Sequence, residues 1–146
     1  MISVLPIARF VKQARSILRA GELSREPVKL LRLEWTPEKV ECDWLMRPAD
    51  PWDACIPASK ARENQTSQAL KDALTLRNMI FRSFPAVDMA ELRMFRHDAD
   101  EQLELMMTGT IARNDQFYER VSSMAMRAKL CGFQFTLAEG AFERRS

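Results

Sequence analysis

Glycine is scarce in this chain: Gly21, Gly109, Gly132 and Gly140 are the only four, and they lie far apart. Phosphate-cradling loops need several glycines at fixed spacing, so neither GxGxxG nor GxxxxGK[ST] can be written on it. Histidine is scarcer still, with His97 the single imidazole, and Cys42, Cys55 and Cys131 include no CxxC pair. Structural zinc takes four Cys/His ligands at close spacing. These four residues are scattered, so no metal and no cofactor is expected. No apolar run approaches the roughly 20 residues that span a bilayer. A dominant charge is missing too, since 22 basic residues oppose 20 acidic ones for a net +2. No bulk field recruits nucleic acid, which is disfavoured as a partner.

What is present is the profile of a folded domain. Apolar residues make up 47% and charged residues 29%, enough for one α+β core spanning 1–146. An odd set of unpaired cysteines, with no secretory signal in view, reads as reduced thiols in a cytoplasmic setting.

Residues 1–21 predict an amphipathic helix. Ile7, Phe10, Val11, Ala14, Ile17 and Leu18 form one stripe at helical spacing, while Arg9, Lys12, Arg15 and Arg19 form the other face. Pro6 suits the first turn and Gly21 the left-handed position beyond the end. The period then changes to two. Leu31, Leu33 and Trp35 alternate with Arg32 and Glu34; Val40, Cys42, Trp44 and Met46 alternate with Glu41, Asp43 and Arg47. Two half-buried strands joined at Thr36-Pro37-Glu38-Lys39 follow.

In "DWLMRPADPWDAC", Asp43–Cys55, two prolines force the chain out of the sheet. A polar lead-in then enters a helix over about Ser67–Ser83, with Leu70, Ala73, Leu74, Ile80 and Phe81 on one face and Pro85 as its stop. A second hairpin follows. Leu92 and Met94 lie on one strand, Leu103, Leu105, Met107, Gly109 and Ile111 on the other, and His97-Asp98-Ala99-Asp100 make the turn. Asn114 or Asp115 is the expected cap of a third helix bearing Phe117, Val121, Met124, Ala125 and Ala128, ended by Gly132. Phe133, Phe135 and Leu137 suggest a last strand, with 138–146 a frayed tail.

The order α-ββ-α-ββ-α-β predicts an antiparallel sheet built from two β-hairpins and covered by helices. A shift of 61 residues lays the first hairpin over the second, with Leu31/Leu92, Arg32/Arg93 and Met46/Met107 identical among sixteen pairs. This suggests an internal repeat, although any two amphipathic hairpins share the same alternation.

Each candidate chemistry has a plainer competitor. Cys55, in a loop, is the candidate reactive thiol, and a nucleophilic pair would have to use His97. No local signature supports that pair, so no catalytic residue is assigned. Asp50/Asp53 and Asp98/Asp100 flank corners, where acids ordinarily bond their own backbone. Trp52 is either a partner anchor or a proline-fixed cap on the core end, the latter preferred. The basic helix either adsorbs to an anionic membrane or docks its stripe on a core or on a second copy, and burying that stripe outweighs the charge term.

Two families come near. The segment Thr108-Gly109-Thr110-Ile111 is similar to the "SGTV" of BON domains, which share the helix-strand-strand-helix-strand order of Ser67–Leu137 and are envelope-associated and proposed to bind phospholipid. Their strands meet at a glycine-containing turn, where this chain has His97-Asp98-Ala99-Asp100. The element order also resembles type III secretion chaperones, which are acidic where this chain is not. Neither resemblance is carried forward.

The leading expectation is therefore a non-enzymatic binding or assembly module, self-associating or holding a protein partner through Phe10, Arg9, Lys12, Arg15 and Trp52. A peripheral membrane protein using the basic helix is the second reading. A small-molecule-binding or hydrolytic protein with a pocket between sheet and helices is the third.

Overall fold

Three helices and a five-stranded sheet of order β1-β2-β3-β4-β5 make up most of the computed structural model, which describes residues 5–19, 27–48, 54–113 and 120–145. The elements are α1 (Leu5–Ile17), β1 (Lys29–Trp35), β2 (Lys39–Leu45), α2 (Ala58–Ser83), β3 (Met89–His97), β4 (Leu103–Ala112), α3 (Met124–Cys131) and β5 (Phe133–Gln134). A separate two-stranded ribbon, β6 (Thr136–Ala138) and β7 (Ala141–Glu143), follows. The class is α+β, as the alternating periods predict.

The sheet is mixed, which corrects the expected all-antiparallel arrangement. β1–β2 and β3–β4 are antiparallel hairpins, but β2 and β3 run parallel from Lys39↔Met89 to Leu45↔Phe95. The 26 residues of α2 make the crossover that a parallel pair requires. Strand periodicity reports which residues face inward, not which strand lies alongside.

Inward parity on β2 is as expected: Val40, Cys42, Trp44 and Met46 are all buried. They join Ala90, Leu92 and Met94 of β3, Met107 and Ile111 of β4, and Leu70, Ala73, Leu76 and Ile80 of α2 in one core. Parity fails at two bulges. In β1 the register slips between Leu30 and Arg32, which expels Leu31 to 44% exposure and leaves Leu30 packed on the core. In β4 the slip beside Met94/Phe95 admits Met106 to the core, so Leu103 and Leu105 fall out of phase with Met107. Leu103 is 51% exposed, whereas Cys42, its counterpart under the shift of 61, is fully buried. A bulge adds one residue and reverses every side chain beyond it.

The helix ends have local causes. α2 begins directly after Pro57 and ends at Phe84, whose N–H donates to the Ile80 carbonyl. Arg113, just past β4, donates from Nη1 to the Phe81 carbonyl (2.8 Å) and from Nη2 to the Phe84 carbonyl (2.7 Å). The last carbonyls of a helix lack intrahelical partners, so this arginine ties the helix end to the strand end.

The third helix is shorter than expected. It starts at Met124, with the Ser123 side chain accepting from the Met126 N–H. Val121 precedes it, and Asn114, Asp115 and Phe117 lie outside the described residues. Gly132 ends it at φ 114°. A Cβ there would sit 2.7 Å from the Thr110 carbonyl oxygen, so the left-handed turn and the close approach both require glycine. At Gly109 a Cβ would meet the Phe133 ring at 2.8 Å, and that space is what lets β5 lie along β4.

The run Phe133–Leu137 is not one strand. It breaks at Phe135 and passes from the main sheet to the ribbon. Nor does the chain fray from Ala138: Leu137 pairs with Phe142, the Phe135 and Phe142 rings meet edge-on at 5.6 Å, and the Arg145 N–H donates to the Leu105 carbonyl. Burial of Phe142 holds this segment down.

Candidate functional site

The residues singled out from the sequence do not converge. Phe10 is fully buried in the core of its own chain, its ring centroid 6.0 Å from that of Phe84. This corrects its assignment as a partner contact. Ala14 and Leu18 are buried with it, so the stripe docks on its own chain. Arg9, Lys12 and Arg15 remain exposed on the outer side of α1. Trp52 and Gly21 lie outside the described residues. Cys55 is exposed, while Cys42 and Cys131 are buried.

Three surfaces take shape from the fold. The first is a groove of about 520 Å³ between α1 and β1, floored by Val11, Ala14, Leu18, Val28, Leu30 and Leu33. Among the described residues β1 is the outermost strand of its sheet on this side, with β2 as its only neighbour. Its outward edge carries backbone groups with no ladder partner among the described residues.

The second is the sheet face opposite the core, where an ion network crosses three strands. Asp43, 8% exposed at its side chain, accepts from Arg93 Nε at 3.0 Å and Nη2 at 2.6 Å, and from Arg32 Nε at 3.1 Å. Arg32 also reaches Glu34 at 3.0 Å and Glu41 at 3.7 Å. Burial pushes the Asp43 carboxyl up, but hydrogen bonds and charge from Arg93 and Arg32 outweigh it and hold the group below its ordinary range. Hydrogen bonding to Asp43 raises both guanidiniums in turn. Behind this layer, burial and then the Asp43 charge push the Cys42 thiol up to about 12. That environment makes Cys42 inert.

The third is a hollow of about 550 Å³ where β2 and β3 end together, bordered by Lys29, Met46, Arg47, Gln65, Arg96 and His97. The β3–β4 turn beside it answers the question of Asp98 and Asp100. Asp98 Oδ1 accepts from the Asp100 N–H at 2.8 Å and the Gln102 N–H at 2.9 Å. That acid is a turn-former. Among the described residues no three His, Cys, Asp or Glu side chains are grouped to hold a metal ion. Among the same residues no helix is long and apolar enough to cross a membrane.

Sequence reasoning missed Asp43, Arg47, Arg93 and Arg96 as organised groups. Alternation marks Asp43 and Arg93 only as outward-facing, and their adjacency depends on the parallel pairing that periodicity does not encode. No family model, curated protein or solved structure matches this chain.

Proposed function

We propose that the chain is a non-enzymatic assembly module that pairs with a second copy along the outer edge of β1. The observation behind this reading is the edge of β1, which has no strand partner among the described residues and lies beside the apolar groove under α1. An antiparallel two-fold pairing centred on Leu33 would set Arg32 of each copy opposite Glu34 of the other. Both residues point to the same sheet face, where opposite charges on facing strands add about 0.2–1 kcal/mol per pair. The bulge at Leu31 confines the ladder to Arg32–Glu34, since Trp35 would fall opposite the second copy's Leu31, whose exposed side chain extends the apolar contact. Added strands of this kind draw affinity from main-chain bonds and specificity from the flanking side chains. A two-fold contact also needs only one self-complementary patch.

The docked position of α1 favours this reading over the membrane one. Adsorption through Arg9, Lys12 and Arg19 would leave Phe10, Ala14 and Leu18 in the core, so the helix would bring charge to a bilayer without its apolar face.

Sedimentation velocity over a wide concentration range tests the proposal. The native chain is expected to form a dimer. Glu34→Lys, at a side chain 59% exposed, should give a folded monomer because lysine then faces the second copy's Arg32. A native chain that stays monomeric at every concentration, or a Glu34→Lys dimer as tight as the native one, rejects this edge as the contact.

A further inference from the structure

We infer that the hollow at the carboxyl ends of β2 and β3 binds a small organic anion with an apolar body, such as an aliphatic carboxylate. β2 and β3 are the parallel pair of the sheet, joined by the α2 crossover, so both strands finish at the same edge. After Leu45 the chain turns away through Met46-Arg47-Pro48, and β3 ends at His97 beside it; the Met46 N–H donating to the Phe95 carbonyl at 2.8 Å is the last backbone bond between them among the described residues. Strands that end side by side and connect in different directions leave a crevice, which is where open α/β sheets take their ligands. Its volume, about 550 Å³, is that of a small-molecule site.

The lining specifies the ligand. Leu45, Met46, Pro27 and Pro48 supply apolar surface for a hydrocarbon or ring. Lys29, Arg96 and the His97 imidazole stand around them, against a single bordering carboxylate, Glu101. Lys29 has no ion pair among the described residues. Arg96 holds Glu104 through Nε at 3.1 Å but remains 41% exposed. The His97 Nδ1–H donates to the Glu101 carbonyl oxygen at 3.3 Å, which orients the ring; Nε2 then carries a lone pair, so the ring is a wall of the hollow and a reporter on it, and Lys29 and Arg96 are the donors to the anion.

The floor is already neutral. Arg47 is sealed against Asp72 by two hydrogen bonds, and the Gln65 side chain fixes the Arg47 carbonyl at 3.3 Å. What the rim leaves to be answered is hydrogen-bond donors: the Lys29 ammonium, and the part of the Arg96 guanidinium beyond the Nε that Glu104 takes. An anion with an apolar body satisfies both halves of the lining, whereas a bare anion leaves the apolar half wet.

Octanoate is the probe, with octanol as its uncharged counterpart and inorganic phosphate as an anion without an apolar body. His97 is the only histidine, so its Cε1 proton gives one assigned NMR signal at the site. Octanoate should move that signal saturably at millimolar concentration or below, and more tightly than either control. Arg96→Gln should weaken it about tenfold, the effect of one charge-assisted hydrogen bond. Should Arg96→Gln disturb the fold, Lys29→Gln at the exposed rim serves in its place with the same expected direction. Saturation that leaves His97 unmoved, octanol binding as tightly as octanoate, phosphate binding as tightly as octanoate, or no binding at all each overturns the inference.

Discussion

The Arg47 guanidinium grips the Asp72 carboxylate with both hands: Nε to Oδ2 at 2.7 Å and Nη2 to Oδ1 at 3.1 Å, with the two side chains only 3% and 5% exposed. The pair bolts the end of β2 to the middle of α2, and Gln68 Nε2 adds a bond to Asp72 Oδ1 at 3.0 Å. Removing one partner strands the other charge away from water. Asp72→Ala is therefore expected to cost about 3–5 kcal/mol in urea denaturation. Replacing both, as Arg47→Met with Asp72→Leu, should recover most of that loss, because apolar residues of similar volume need no desolvation repaid. A double variant as unstable as the single would mean that the hydrogen-bonded network, rather than the stranded charge, sets the cost.

Asp43 gives the stability an acid limb. Its carboxyl is held below the ordinary range in the folded chain, so between the two values the unfolded chain binds the extra proton. Stability from this group is present above the unfolded pKa and is lost as pH falls through the folded one. Urea midpoints of the native chain should therefore drop as pH goes below about 4, the ordinary carboxylate value. Asp43→Asn should be less stable at neutral pH and show a flatter acid limb. Parallel limbs for the two proteins would assign the acid sensitivity to other carboxylates.

The thiols divide one to two. Cys55 is exposed and should be labelled quickly in the native chain, whereas Cys42 and Cys131 should react only after unfolding. Cys42 also sets an alkaline limb of the opposite sense. Its pKa rises from an ordinary 9.0 to about 12 in the folded chain, so in that window the folded form keeps a proton that the unfolded form releases. Stability should fall across it by up to about 1.4 kcal/mol per pH unit. The slope should be shallower in Cys42→Ala. Fast native labelling of Cys42 would contradict the β2 register.

Much of this architecture is written in local pattern, and the parts that are not share a cause. Val40, Cys42, Trp44 and Met46 announce their burial because alternation along one strand is a local property. Leu31 and Leu103 mislead because a bulge adds one residue without a composition signal, and everything beyond it changes face. The parallel contact of β2 with β3 depends on where a 26-residue helix returns the chain, which neither strand encodes. The hollow was invisible for the same reason. Lys29, Arg47 and Arg96 belong to three different strand ends, and only pairing makes them neighbours. The ribbon at the carboxyl terminus was lost to its shortness, since three residues carry no period.

Phe10 offers the sharpest test of how α1 is used. The regular stripe around it suggested a contact between copies, but its side chain is fully buried and its ring packs 6.0 Å from Phe84, which lies 5.3 Å from Trp35. Phe10→Asp removes that aromatic contact and leaves a charge without a partner in the core. The expected cost is a few kcal/mol, about the 3–5 kcal/mol of deleting a buried phenylalanine, with the charge penalty added. Phe10→Leu should lose less, because most of the volume remains. Dissociation of a dimer makes a melting midpoint depend on concentration, whereas core damage does not. The drop caused by Phe10→Asp should therefore be the same in dilute and concentrated samples, while the drop caused by Glu34→Lys should grow with concentration. A Phe10→Asp chain that kept its full stability as a monomer would move the dimer contact from β1 to α1.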